Sequence, residues 1–208
     1  MRQNRNSIEW DFKILENIKN KAIKNGITKK DINFFLEKSN DTIFSIYLTN
    51  LASDSLKIIR YDSSIFTIQE AKNKEGKWKP IEYWPATGCG NSYVYYQIPP
   101  SSTLKTQSKV YQGDFKTNIR FKVNINDKVY YTNSLTGYIN PNQFQIPEKI
   151  RGQELLIRIG GKDLLKKAIF LKEGSKREIS EKYKQYMEEM MRKKVEFNKK
   201  KKEKKKKQ

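Results

Sequence analysis

The stretch from Phe115 to Ile125 constrains this chain more than any other. Phe115, Thr117, Ile119, Phe121, Val123 and Ile125 alternate with Lys116, Asn118, Arg120, Lys122 and Asn124. Side chains of a strand point to opposite faces in turn, so a period of two predicts a β-strand with one face on a core and the other in water. Such a strand needs hydrogen-bonding partners at its edges and a second layer over its apolar side.

The neighbouring sequence supplies candidates. Phe44, Ile46 and Leu48 alternate with polar residues, Leu56 and Ile58 follow the turn-like Asn50–Asp54, and Phe66 and Ile68 alternate with Thr67 and Gln69. Lys74-Glu75-Gly76-Lys77 predicts a turn before Trp78, Ile81 and Tyr83, with Gly76 at the position that needs positive φ. Pro80 and Pro85 confine the second arm to an edge or an irregular stretch. Asn126-Asp127 turns the chain from the long strand into Val129-Tyr130-Tyr131, and residues 93–98 read as a further aromatic strand. The expected architecture is mainly β: an antiparallel, immunoglobulin-like β-sandwich over residues 41–174, with a small barrel as the other closure of the same strands.

Outside those strands the period lengthens. Ile8, Phe12, Leu15, Ile18 and Ile23 recur at helical spacing, and Ile32, Phe35 and Leu36 follow Gly26, so residues 1–40 are expected to hold two short helices packed on the sandwich. Residues 151–174 read as a hairpin turning at Gly160-Gly161, with a helix as the competing reading. Ile179, Tyr183, Tyr186, Met187, Met190, Met191 and Val195 form a helical stripe, with Ser175 and Glu178 as a capping box. That predicts an amphipathic helix over 175–198 and a disordered lysine tail over 199–208. The methionines suit either an adaptable core or a docking surface.

Composition decides what chemistry is open. Among 208 residues there is no His and one Cys, which removes Ser-His and Cys-His nucleophile pairs and Cys/His zinc cages. Cys89, between Gly88 and Gly90, has no sequence-evident base and reads as a small residue in a loop. Glu70 and Glu82 could be drawn as a glycosidase pair, yet no spacing rule selects them, and the acids of the presumed sandwich mostly sit beside turns. No enzyme activity, metal or other cofactor is expected. No apolar run approaches the ~20 residues of a membrane helix, and MRQNRNSIEW lacks the apolar stretch of a signal peptide. Placement in the cell envelope or outside the cell would require a leader removed in maturation; otherwise the cytoplasm is expected.

Charge points to partners. Lys and Arg number 43 against 23 Asp and Glu, a net +20, of which +9 falls in residues 192–208. Arg192, Lys193, Lys194, Lys199, Lys200, Lys201, Lys202, Lys204, Lys205, Lys206 and Lys207 form a run able to neutralise the phosphates of nucleic acid or of anionic lipid without specificity. Tyr95 and Tyr96, which must point to opposite faces of one strand, together with Arg120, Lys122 and Lys128, are the candidate partner-binding surface. The reading is a non-catalytic interaction module for a protein or glycan partner. The competing reading is a nucleic-acid-associated protein that holds phosphates through the tail and the basic strand face.

Three stretches carry a resemblance: Gly76-Lys77-Trp78-Lys79-Pro80-Ile81-Glu82-Tyr83-Trp84, Cys89-Gly90-Asn91-Ser92-Tyr93, and Tyr111-Gln112-Gly113-Asp114-Phe115-Lys116-Thr117. Over residues 41–147 the chain resembles uncharacterised bacterial β-sandwich proteins of the cell envelope. That resemblance implies an immunoglobulin-like fold and a non-catalytic interaction role, and it carries no binding residue across.

Overall fold

The computed structural model describes residues 2–3, 27–29, 31–61, 64–84, 93–150 and 152–206. The expected first helix and the loop around Cys89 lie outside the described residues. In chain order the elements are β1 (Arg2–Gln3), β2 (Ile27–Lys29), β3 (Ile32–Lys38), β4 (Ile43–Asn50), β5 (Leu56–Tyr61), β6 (Ser64–Ile65) and β7 (Thr67–Lys72). There follow β8 (Trp78–Pro80), β9 (Glu82–Tyr83), β10 (Tyr93–Ile98), β11 (Thr103–Lys109), β12 (Phe115–Ile125), β13 (Lys128–Tyr131) and β14 (Leu135–Ile139). A 3-10 turn (Pro141–Phe144) leads to helices α1 (Gln153–Ile169) and α2 (Ser175–Lys206).

The chain is mainly β, with antiparallel sheets and two helices. One sheet runs β11-β4-β3-β2; a second runs β13-β12-β7-β8, with β14 also paired to β12. A smaller sheet is ordered β10-β5-β6, and β1 pairs with β9 in parallel. The long strand is β12, as its alternation predicts. Ile119, Phe121, Val123 and Ile125 are buried in one core with Phe34, Leu36, Phe44, Ile46 and Leu48 of the other large sheet. Phe44 and Phe121 meet edge-to-face across it, 5.8 Å between ring centres. Asn133 joins the sheets at their margin: its side chain accepts from Leu36 N–H at 2.7 Å and donates to Leu36 C=O at 2.9 Å.

The turns follow from local chemistry. Asn126 and Asp127 both have positive φ, 49° and 65°, the conformation that a two-residue hairpin between Ile125 and Lys128 demands. Gly76 has φ 73° in the β7–β8 turn, where the Asn73 side chain accepts from the N–H groups of Glu75 and Lys77. With Pro80 at its end, β8 stays at the edge of its sheet.

Two segments depart from their expected form. Residues 32–38 are a strand, not a helix: β3 lies between β2 and β4, and Ile32, Asn33, Phe34, Phe35 and Leu36 are all buried. A run buried on both faces has no wet side to show its period. Residues 153–169 are a helix, not a hairpin, and Gly160-Gly161 kinks it instead of reversing it; Gly161 has φ 72° and ψ −171°. Leu156, Leu164, Leu165, Ile169 and Phe170 bury against Phe66, Ile68 and Trp84, so α1 covers part of the outer face of the β12 sheet. The backbone N–H of Trp84, just past β9, donates to Ile169 C=O at 2.7 Å and ties this segment to the end of α1.

The outer face of β12 is therefore not wholly wet. Lys122 and Asn124 are buried there, and Asn124 Nδ2 donates to Lys172 C=O just beyond α1. The C-terminal helix is where its stripe places it, but it continues to Lys206 through most of the expected disordered tail. Its cap comes from elsewhere than Ser175: Glu178 N–H makes the first helical bond, to Gly174 C=O, and the Asp127 carboxylate accepts from the backbone N–H groups of Lys176 and Arg177. No described helix is long and apolar enough to cross a membrane.

Candidate functional site

Strand pairing puts opposite charges side by side on the outer face of the β12 sheet. Register sets Glu70 of β7 directly opposite Arg120 of β12, and Pro80 of β8 on the far side of Glu70. Lys122 lies one side chain further along the same face of β12, opposite Tyr131 of β13. A cleft of about 1010 Å³ opens over this row, walled by the β7–β8 hairpin, Tyr131, Phe144 of the 3-10 turn, and Lys166, Phe170 and Lys172 at the end of α1.

At its floor is a three-residue ion network. Glu70 Oε2 accepts from Arg120 Nε at 2.9 Å and from Arg120 Nη2 at 2.7 Å, while Lys122 Nζ is 2.9 Å from Glu70 Oε1. The side chains of Glu70 and Lys122 are each 6% exposed, so both charges have left water and depend on each other. Burial pushes the Lys122 ammonium below its ordinary pKa against the pull of Glu70, and the nearby Arg120 and Lys172 push the same way as burial. The Arg120 guanidinium lies 4.3 Å from the Trp78 ring centre and 3.9 Å from that of Tyr131, which places the cation between two aromatic walls. Burial and then Glu70 raise the Tyr131 phenol, so it stays a neutral donor.

The cleft is cationic overall. Lys74, Lys79, Arg120, Lys122, Lys166 and Lys172 line it against Glu70 and Glu173, and Trp78, Phe115, Tyr131, Phe144 and Phe170 supply apolar walls. This arrangement suits an anionic group attached to an apolar or planar body.

The residues singled out from sequence divide three ways. Arg120 and Lys122 are brought together, but Lys122 is a buried ion-pair partner, not a surface cation. Tyr95 and Tyr96 lie on β10 in the separate small sheet; Tyr95 is 63% exposed with Lys57 Nζ 4.1 Å from its ring centre, and Tyr96 packs on the core. Lys128 is exposed beside the β12–β13 turn and does not line the cleft. Arg192, Lys193, Lys194 and Lys199–Lys202 are exposed along α2, where Lys193 pairs with Glu189. Lys204, Lys205 and Lys206 also fall within α2, and Lys207 lies outside the described residues.

Glu70, Trp78, Tyr131 and Lys172 complete the cleft and were not legible as a group. Their one sequence signal is charge complementarity between the outward positions of β7 and β12, which becomes readable only once the register is known. Glu82 is not paired with Glu70. Its carboxylate lies inside the core, accepting from Tyr111 Oη at 2.6 Å, Gln69 N at 2.8 Å and Gln69 Nε2 at 3.1 Å. Among the described residues no group of three acids or Cys is placed to hold a metal ion. Compared with known proteins, the chain matches no family model and no curated protein.

Proposed function

We propose that this protein is a non-catalytic binding module, an immunoglobulin-like β-sandwich of the envelope type its sequence resembles, that receives an acidic group of a protein or glycan partner in the cleft over Glu70. The observation that carries the reading is the Arg120 guanidinium, set between Trp78 and Tyr131 and oriented by Glu70. A cation already fixed in geometry loses little rotamer freedom when an anion arrives, which favours binding. Both Glu70 oxygens are engaged, so the carboxylate acts as an organiser of cations. Lys79, Lys166 and Lys172 around the rim attract and hold the acidic group, and the aromatic walls take the body that bears it.

A second reading, association with nucleic acid, is favoured by the lysine-rich end of α2. A chain of net +20 adheres to any polyanion, so charge-changing variants alone do not separate the two. Trp78→Ala and Tyr131→Ala leave the charge unaltered. In titrations with a uronate polysaccharide, polyglutamate and single-stranded RNA, the cleft reading expects both variants to lose about tenfold or more in affinity for the polysaccharide or polyglutamate. Unchanged affinity for both, with binding tracking salt alone, would sink it. A loss confined to RNA would establish the nucleic-acid reading instead.

A further inference from the structure

Helix α2 has two unlike halves. Its first turns pack on α1, where Glu178 pairs with Lys167 at 2.7 Å and the Tyr186 hydroxyl accepts from Arg158 Nη1 at 3.3 Å. From Met187 to Lys202 every side chain is exposed, and large apolar groups stand in water: Met190 at 45%, Met191 at 64%, Val195 at 53% and Phe197 at 66% exposure. At about 100° per residue, Tyr183, Met187, Met190, Met191 and Phe197 fall within an arc of about 120° on one side of the helix. Lys194, Lys201 and Lys205 fall on the same arc, whereas Glu188, Glu189, Glu196 and Glu203 all fall outside it. The apolar side is thus also the side free of negative charge.

We propose that this half of α2 lies along an anionic lipid surface, with Met187, Met190, Met191 and Phe197 in the boundary between headgroups and acyl chains. Lysine stems on the same side run along the apolar layer and bring their ammonium groups to the lipid phosphates. Charge selects this occupant over a second copy of the chain, because each copy carries a net +20, with +9 in residues 192–208, and like-charged copies repel where an anionic surface attracts. The apolar arc selects it over nucleic acid, whose phosphate backbone offers Met and Phe side chains no apolar layer to enter. Glutamates facing away from the surface keep like charges apart from the lipid.

The experiment is flotation of the full chain with phosphatidylcholine vesicles and with vesicles containing equal parts phosphatidylcholine and phosphatidylglycerol. Association is expected with the anionic vesicles only. Met190→Ser/Phe197→Ser, a charge-neutral double variant of exposed residues, is expected to weaken it by about tenfold or more. Trp78→Ala is expected to bind vesicles as the parent does, which keeps this surface separate from the cleft. Absence of binding to anionic vesicles, or equal binding by the double variant, overturns the proposal. So does a concentration-dependent dimer in sedimentation that the double variant abolishes.

Discussion

Asp127 holds the first turn of the C-terminal helix in place of a residue near the helix itself: its Oδ1 accepts from the backbone N–H of Lys176 at 3.1 Å, and its Oδ2 from that of Arg177 at 3.1 Å. The first N–H groups of a helix have no partner within it, and a carboxylate at that end also meets the positive pole of the helix. The same residue makes the β12–β13 turn, so one side chain couples the sheet to α2.

Removing that cap should destabilise the fold by about 1–2 kcal/mol. Because Asp127 has φ 65°, Asp127→Gly keeps the turn and isolates the loss of the carboxylate, while Asp127→Ala adds the strain of a left-handed residue. Urea unfolding is expected to rank parent above Asp127→Gly above Asp127→Ala. Equal midpoints for the parent and the glycine variant would show that the cap contributes nothing.

The buried ion network predicts strong non-additivity. Glu70→Ala leaves Lys122 buried without its counter-charge and should cost about 3–5 kcal/mol. Replacing Lys122 by Met in the same chain removes the uncompensated cation, so the double variant should recover much of the loss. A double-mutant cycle by chemical denaturation measures this, and additive effects would contradict the coupling.

Glu82 makes stability depend on pH in the direction opposite to an ordinary salt-bridged carboxylate. Burial pushes its carboxyl from 4.5 up to about 7, against hydrogen bonds from Tyr111 and Gln69 that favour the ionised form. Between those values the folded chain binds the proton and the unfolded chain does not, so stability falls as pH rises from about 4.5 to about 7. The contribution is on the order of 3 kcal/mol across that window. Glu82→Gln should flatten this part of the pH profile whatever it does to absolute stability. An unaltered slope would assign the pH dependence to other groups.

Two glycines, Gly113 in the β11–β12 connection and Gly137 on β14, should respond differently to a methyl group. A Cβ at Gly113 would stand 2.2 Å from the backbone carbon of Ile139, which cannot give way without moving β14. At Gly137 it would meet the Ile119 side chain, 2.4 Å from Cδ1, which has rotamers to retreat into. Gly113→Ala should therefore cost about 3 kcal/mol or more and Gly137→Ala less, read as shifts in thermal midpoint.

How much of this was legible follows from which side of each element is wet. The period of β12, the positive-φ turn at Gly76, the turn at Asn126-Asp127 and the stripe of α2 are local patterns, and each forms as its residues imply, although the outer face of β12 is wet over only part of its length. Ile32–Leu36 is buried on both faces, and its Ile32, Phe35 and Leu36 spacing also fits a helix; only the ladders with β2 and β4 make it a strand. For Leu155, Ile157 and Ile159 the alternation suggests a strand, whereas burial of Leu156 with Leu164 and Leu165 makes a helix the form that covers Phe66 and Ile68.

By itself the sequence determined a mainly β chain with short antiparallel hairpins, a basic amphipathic helix at one end, and no histidine chemistry, because composition and short-range periodicity need no knowledge of what lies opposite. Tertiary structure decided what became of the outer face of β12. Strand register set Glu70 against Arg120, pairing with Glu70 and the chain around Lys172 left Lys122 and Asn124 buried, and the β7–β8 hairpin brought Trp78 over the guanidinium. Each of those contacts joins residues far apart in the chain, and a side chain's exposure is a property of its neighbours in space, not in sequence.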